Sequence, residues 1–351
     1  MGFKVSFADS LGKNVVLTGN CVGCGACVTV CPHGCLRLVK GRPDLCKECE
    51  SCGFCARVCP QHGFSMSKIE SFVFGRVRNC EERFGIHRQI YIAKATDGRV
   101  LKVCQDGGAV TALLLHALES KRIDGAVVSG VDAQKPLYPV PRLALTCEEI
   151  LSCAGTRYSC SPNLLVLPEA VKQGRTSIAF VGTPCQIQAV RRMQMLGMKI
   201  AARVKLLIGL MCSECFSYEG LIEKHVCKEW GINLGDVKSI NIKGKVIVTL
   251  ESGSVRTIPL AEVKEHARKG CGLCRDFSSE LADVSAGGLG LEGWTCVVTR
   301  TKEGGNVFKS AEKAGILAIR PVEADEPALN LLVRLSDRKR SLKTAIEGLK
   351  S

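Results

Sequence analysis

Eight cysteines between positions 21 and 60 fall into one pattern written twice. Cys21, Cys24, Cys27 and Cys31-Pro32 read C-x2-C-x2-C-x3-C-P, and Cys49, Cys52, Cys55 and Cys59-Pro60 read the same. Thiolates are soft ligands that suit iron–sulfur clusters. Two-residue spacers let three sulfurs of one run reach neighbouring corners of a single cube. A disulfide framework gives no reason for identical spacing to recur. Cys35 and Cys46 lie outside the pattern and read as spare thiols.

A second thiol set lies downstream. Cys185 sits in GTPCQ, Cys212 in GLMCSECF, and Cys271-x2-Cys274 in KGCGLCRDF. Cys185 follows an expected strand and opens a helix, and Cys212 closes an uncharged apolar run. Strand ends on one edge of an α/β sheet open on a common crevice, where four thiols could meet as a third cluster site. A C-x2-C pair alone suits zinc or redox chemistry as well, and Cys215 competes with Cys212 for the fourth place. Cys80, Cys104, Cys147, Cys153, Cys160, Cys227 and Cys296 have no metal-like spacing and read as small buried hydrophobes. The six histidines share no spacing, and none reads as a ligand.

The elements that position these thiols divide the 351 residues into unequal parts. Residues 1–20 read as a short strand and turn. Residues 36–45 separate the two motifs, with a turn at Lys40-Gly41-Arg42-Pro43, and the first domain closes near Lys68, spanning 1–68. Residues 69–90, with Arg76, Arg78, Arg83 and Arg88, read as a solvated linker. From 91 to 351 the pattern alternates. Strands are expected at 91–95, 126–131, 177–181, 206–211 and 295–299, and helices at 107–122, 164–172, 186–196 and 218–230. A small antiparallel excursion is expected over 237–242, 246–250 and 254–258, and a helical tail over 325–350. The fold class is α/β, with α+β mixing, built on a mostly parallel sheet.

With 46% apolar and 23% charged residues, the composition is that of a globular protein. The apolar run 204–211 is too short to cross a bilayer and contains Lys205, so no membrane-spanning segment is expected. The first residues show no signal-peptide core. Many cysteines without a secretion signal point to a reducing, cytoplasmic setting. The formal charge of +14 falls to about +8 once three cubes of about −2 each are counted, which still favours anionic partners. Aromatics are only 5% and the basic residues are scattered, so nucleic acid is not an expected partner.

The doubled motif resembles that of bacterial-type two-cluster ferredoxins, in which the fourth cysteine of each run ligates the other cluster. That resemblance assigns Cys21, Cys24, Cys27 and Cys59 to one [4Fe–4S] cube, and Cys49, Cys52, Cys55 and Cys31 to the second. The stretch from about 91 to 319 resembles the coenzyme F420 hydrogenase/dehydrogenase beta-subunit family. The resemblance rests on Asp106-Gly107-Gly108-Ala109-Val110-Thr111-Ala112-Leu113, on Gly155-Thr156-Arg157-Tyr158 with Ser161-Pro162, and on Gly182-Thr183-Pro184-Cys185-Gln186. It continues through Gly209-Leu210-Met211-Cys212, Cys271-x2-Cys274-Arg275-Asp276-Phe277, 282–287 and Gly293-Trp294-Thr295 with Arg300-Thr301.

The resemblance implies a flavin-binding α/β domain that holds FAD and one [4Fe–4S] cluster and takes coenzyme F420 as substrate. Its cluster ligands fall on Cys185, Cys212, Cys271 and Cys274, giving three [4Fe–4S] clusters in all. Within it, Gly107 and Gly108, opening a helix, suit the flavin pyrophosphate. Thr111, Thr156, Arg157, Tyr158 and Ser161 are expected around the flavin, and Thr183 and Gln186 flank a cluster ligand. The fused ferredoxin part is most like the input subunit of archaeal F420H2 dehydrogenases, which docks on a membrane complex linked to quinone or methanophenazine. The expected reaction is oxidation of reduced F420, with that complex or ferredoxin as acceptor. The expected location is cytoplasmic, or peripheral on the inner face of the membrane through the partner. A free F420:ferredoxin oxidoreductase, a formate dehydrogenase beta subunit, a ferredoxin-driven reductase of another substrate and a flavin-free electron-transfer module are the alternatives.

Overall fold

The computed structural model of the chain describes residues 5–341. Its N-terminal part folds the two thiol motifs alike. Cys24-Gly25-Ala26-Cys27 and Cys52-Gly53-Phe54-Cys55 each pass through a left-handed glycine, with φ 86° at Gly25 and 70° at Gly53, into the short helices Ala26–Thr29 and Phe54–Val58. Between them β1 (Leu36–Val39) and β2 (Arg42–Leu45) form the expected turn as a hairpin. Its turn residues Lys40 and Gly41 both have positive φ, which matches the strand twist of a two-residue hairpin.

The strand expected within 1–20 is instead a wide-turned helix, Ala8–Val16. Phe7, Leu11 and Val15 recur every four residues and are buried in one cluster with Cys27, Leu36 and Cys55. That is helical spacing, disguised in the sequence by Gly12 and Lys13 between the apolar positions.

The further strands are β3 (Gln89–Ala95), β4 (Gly125–Val131), β5 (Pro139–Ala144), β6 (Ile178–Gly182), β7 (Val204–Leu210), β8 (Val237–Ile242), β9 (Lys245–Leu250), β10 (Val255–Pro259), β11 (Val284–Gly287), β12 (Thr295–Thr299) and β13 (Leu317–Arg320). Eight of them form one mixed sheet in the order β13-β3-β12-β11-β7-β6-β4-β5. Its centre, β11-β7-β6-β4, is parallel. β6 is wholly buried, as an uninterrupted apolar run in a covered parallel sheet should be. β8, β9 and β10 form the separate antiparallel excursion.

Helices cover both faces of the large sheet. On one, Leu113, Leu114 and Ala117 of the helix Ala109–Glu119 pack with Val307 and Phe308 of the helix Lys302–Lys313. On the other, Ile187, Val190 and Met193 of the helix Pro184–Met195 share a core with Phe180. Val22, Ala26, Val58 and Ile69 enter that same second core, so the thiol motifs are seated directly on the sheet's helical layer.

Residues 69–90 are exposed over much of 71–83 but anchored at both ends. The helix Met66–Phe74 ends on the left-handed Gly75, and Arg78 then pairs with Glu70 and Glu280. The carbonyls of Phe84 and Ile86 accept from the buried Arg300 guanidinium. Of the basic residues that suggested a solvated connector, Arg78 meets buried carboxylates, while Arg76 and Arg83 pair at the surface with Glu82 and Asp337. The C-terminal helix covers Glu326–Arg340, and the rest of the expected tail, 342–350, lies outside the described residues. Among the described residues, no helix is long and apolar enough to cross a membrane.

Candidate metal centres and the strand-edge crevice

The eight motif cysteines separate into two cavities. One is lined by Cys21, Cys24, Cys27 and Cys59 under Leu11, Val15 and Leu38. The other is lined by Cys31, Cys49, Cys52 and Cys55 under Phe7 and Leu36, with Cys35 beside them. Each tetrad thus takes its fourth thiol from the other run. Backbone amides point at the sulfurs: Phe7 N–H donates to Cys49 Sγ at 3.4 Å, Gly23 N–H to Cys21 Sγ at 3.4 Å, and Cys35 N–H to Cys31 Sγ at 3.3 Å. Burial, then the neighbouring Cys59 thiol, pushes Cys24 far up. Burial lifts Cys59 to about 12 and Cys55 to about 11. Thiolates held this close in an apolar wall are costly unless iron cations offset their charge, and such cations reverse the local pKa logic. The donor set fits a cubane in each cavity.

The downstream thiols meet at the sheet edge. β6 and β7 are parallel neighbours with Gly182 opposite Gly209, so both open on the same crevice. Cys185 lies in the first turn of the helix after β6, and Cys212 lies just past β7. The turn Lys269–Leu273 brings Cys271, with Cys274 following it. Burial, then Cys24 and Cys274, pushes Cys185 well above the usual thiol range. Burial also lifts Cys271 and Cys274 to about 12 each. Cys215 joins them, its thiol pushed well above the usual range by the neighbouring Cys212 and by burial. Five thiols therefore converge, one more than a cube needs. Cys160, read from the sequence as a plain hydrophobe, lies between this group and the first tetrad, and its Sγ donates to the Val22 carbonyl at 3.4 Å.

Three cations stand among the thiols, and sequence reasoning identified none of them. Arg192 donates to the Cys59 and His62 carbonyls. Arg268 donates to the Gly41 carbonyl at 3.1 Å, and its buried Nε has no hydrogen-bond partner. Lys339, from the C-terminal helix, donates to the Cys271 carbonyl at 2.9 Å. The only signal in the sequence was Arg268, three residues before Cys271; the other two lie far from their thiols along the chain.

The residues expected around a flavin spread along the same edge. Gly107 is sealed: its amide donates to Thr295 Oγ1 at 3.1 Å, and a Cβ there would lie 2.7 Å from the Ala93 carbonyl. Any phosphate contact on this turn would come from Gly108, which caps the helix Ala109–Glu119 in left-handed conformation. Thr111 is buried in the first turn of that helix, and Thr156 is exposed. Arg157 donates one nitrogen to the Ala154 carbonyl at 2.8 Å, while its Nε is buried without a partner. An orphaned guanidinium donor fits an anionic group such as a flavin phosphate.

Other expected flavin contacts are already engaged. The Tyr158 hydroxyl lies 3.2 Å from both Asn241 Oδ1 and the Ile242 amide, tying down β8, and burial lifts its pKa to about 12. Ser161 Oγ donates to Asn163. The Gln186 carbonyl oxygen accepts from the Thr183 amide, and its NH2 donates to the Ser161 carbonyl, so Gln186 caps the helix and packs it. The Thr183 hydroxyl lies 3.3 Å from Cys185 Sγ.

Comparison with known proteins places names beside this geometry. The family model "coenzyme F420 hydrogenase/dehydrogenase, beta subunit N-term" matches residues 90–168, its C-terminal counterpart matches 175–325, and a 4Fe–4S binding domain matches 15–37. The coenzyme F420 hydrogenase subunit beta of Methanothermobacter thermautotrophicus is 40% identical over 262 residues, covering 73% of this chain and 92% of that protein. A subunit of the F420H2 dehydrogenase of Methanosarcina mazei is 29% identical over 324 residues, covering 91% of this chain and 89% of that protein. Among solved structures, the F420-reducing nickel–iron hydrogenase complex from Methanosarcina barkeri contains a chain with TM-score 0.71 and 38% identity, covering 74% of this chain and 91% of that one.

Proposed function

The chain belongs to the coenzyme F420 hydrogenase/dehydrogenase beta-subunit family, and on that premise we propose that it oxidises reduced coenzyme F420 by way of FAD and delivers the electrons through three [4Fe–4S] clusters to a partner complex. A bound flavin would supply the conversion between two-electron hydride and single electrons, and bound clusters would carry the single electrons. The observation that carries the reading is that Cys185 packs against the same buried cluster that contains Cys24, which makes the strand-edge site and the first tetrad neighbours.

The chain's own groups support such a relay. Cys185, Cys212, Cys271 and Cys274 form the inner site, beside the crevice where Arg157 and Gly108 stand. Cys21, Cys24, Cys27 and Cys59 come next, and Cys31, Cys49, Cys52 and Cys55 last. Cys52 is exposed, so the last tetrad reaches the surface where a partner would dock. Amide donors on the sulfurs, the Thr183 hydroxyl and the cations Arg192, Arg268 and Lys339 stabilise added negative charge and raise cluster potentials. The relation to the F420H2 dehydrogenase protein spans 91% of this chain, more than the larger part alone, which is compatible with a dehydrogenase-type membrane complex as acceptor.

The test is anaerobic purification with iron, sulfide and flavin analysis, followed by F420H2 oxidation with a viologen acceptor. About twelve iron atoms per chain are expected, from three cubes of four. Cys185→Ala should retain about eight and lose turnover, leaving the two outer cubes. Replete protein that does not consume F420H2 would overturn the reading. Full iron with no flavin would make the chain an electron-transfer module. Direct reduction of free ferredoxin, or co-purification with a formate-oxidising protein, would reassign the acceptor.

A further inference from the structure

We propose that His225, His266 and Glu265 form a binding site for one divalent transition-metal ion of the zinc type, separate from the cluster thiols. The three residues each offer a ligand atom, and these atoms lie within 4.8 Å of one another. His225 projects from the helix Glu219–Glu229, and the other two come from the turn Lys264–His266. No common spacing links them in the sequence, so only the fold brings them together.

The site is built rather than incidental. His225 is 6% exposed, and its Nδ1 lies 2.6 Å from Glu229 Oε2. A carboxylate on one ring nitrogen fixes the tautomer and presents the other nitrogen to a metal. That other nitrogen, Nε2, is buried with no hydrogen-bond partner, and His266 Nε2, which makes no aligned hydrogen bond, lies 3.1 Å from Glu265 Oε1, its fellow ligand. The two rings lie edge to face at 5.2 Å. The His266 ring rests on Gly220, where a Cβ would come within 2.2 Å of its Cγ. Glu265 is well exposed, which leaves an entry path, and its Oε1 is held 3.1 Å from Lys224 Nζ. A metal on that carboxylate releases Lys224 to solvent. Two imidazoles with one carboxylate, and water in the fourth position, are a zinc donor set rather than one for calcium or magnesium.

The ion would clamp the segment that leads to the inner cluster thiols. The His266 carbonyl accepts from the Ser217 amide, Ala267 bridges to Phe216, and the Arg268 amide donates to the Cys215 carbonyl. Cys271 follows three residues later. Tying His266 to the helix Glu219–Glu229 therefore stiffens the arm that carries Cys271 and Cys274.

The experiment uses the full, cluster-replete chain titrated anaerobically with zinc chloride, with zinc K-edge X-ray absorption on the product. One zinc per chain is expected beyond the iron, with nitrogen and oxygen ligands at about 2.0–2.1 Å and no sulfur shell near about 2.3 Å. His225→Gln and His266→Gln should each weaken binding by about 100-fold or more, and Glu229→Gln, which keeps all three ligands, by about 10-fold. Unchanged iron content and cluster absorbance show that the variants fold. No uptake of zinc, a sulfur shell on the bound ion, or affinity unchanged by Glu229→Gln and both histidine variants would overturn the proposal.

Discussion

Lys339 donates from the last turn of the C-terminal helix to the backbone carbonyl of Cys271 at 2.9 Å. Its charge opposes the rise that burial imposes on Cys271 and Cys274, so a residue near the end of the described chain sets the field at the inner thiols. Lys339→Gln keeps much of the length and removes the charge. The inner cluster should then become harder to reduce, with its midpoint falling by roughly 50–100 mV, the scale of one partly screened charge a few ångströms away. An EPR-monitored redox titration against wild type reads this directly, while the outer two midpoints stay in place.

How far the sequence exposed this arrangement depended on whether the signal was local. The doubled motif is local in the chain, and the two cavities gather its cysteines in the grouping that the ferredoxin resemblance implies. β6 and β7 stood out because both are apolar and each ends at a thiol. β5 was hidden because Pro139 and Pro141 interrupt it, which the sheet tolerates only at its edge. The helix Lys302–Lys313 was hidden by Gly304 and Gly305; Gly304 is needed because a Cβ there would lie 2.0 Å from the Asp283 carbonyl. Lys339, Arg192 and the pairing of His225 with His266 are products of tertiary packing, and no periodicity encodes them.

Gly270 packs the turn that carries Cys271 against the thiol-motif part. It is buried, and a Cβ on it would stand 2.2 Å from the Asn20 carbonyl and 3.1 Å from Val22. The obstacle is backbone, so Gly270→Ala must push the thiol-motif part away from the turn that carries Cys271. Overpacking of this kind costs typically about 1–3 kcal/mol. The variant should melt several degrees lower. It should also transfer electrons from inner to outer clusters more slowly in stopped-flow reduction, with iron content retained.

His87 gives stability a pH dependence. Burial, reinforced by the Arg300 charge, pulls its pKa below the usual value, against the hydrogen bond with the Gly85 carbonyl. A histidine depressed in the folded state binds protons more readily when unfolded, so stability is full above about pH 6.5 and is lost as pH falls below it. His116 is shifted the same way, burial first. Asp276, whose carboxyl burial lifts to about 7, acts the opposite way in this window, so the histidine contribution is read as a difference: between about pH 7.5 and 5.5 wild type should lose more melting temperature than His87→Gln with His116→Gln. A decline of equal slope in the double variant would show that other groups govern it.

Arg157 offers the sharpest test of the proposed flavin, because its buried Nε has no partner among the described residues while its pKa is pulled down by burial. A buried charged donor left unmatched is costly, so the free chain carries a penalty that an anionic ligand removes. Arg157→Leu removes that penalty and the contact together. The variant should therefore be at least as stable as wild type without flavin, yet bind FAD more weakly by about 10- to 100-fold, the value of a hydrogen bond to a charged group. Arg157→Lys restores charge without the planar fork and should recover only part of the affinity. Fluorescence titration of flavin-stripped, cluster-replete protein measures all three. Equal affinity in wild type and Arg157→Leu would place the phosphate away from Arg157 and leave the amides after Gly108 as its anchor.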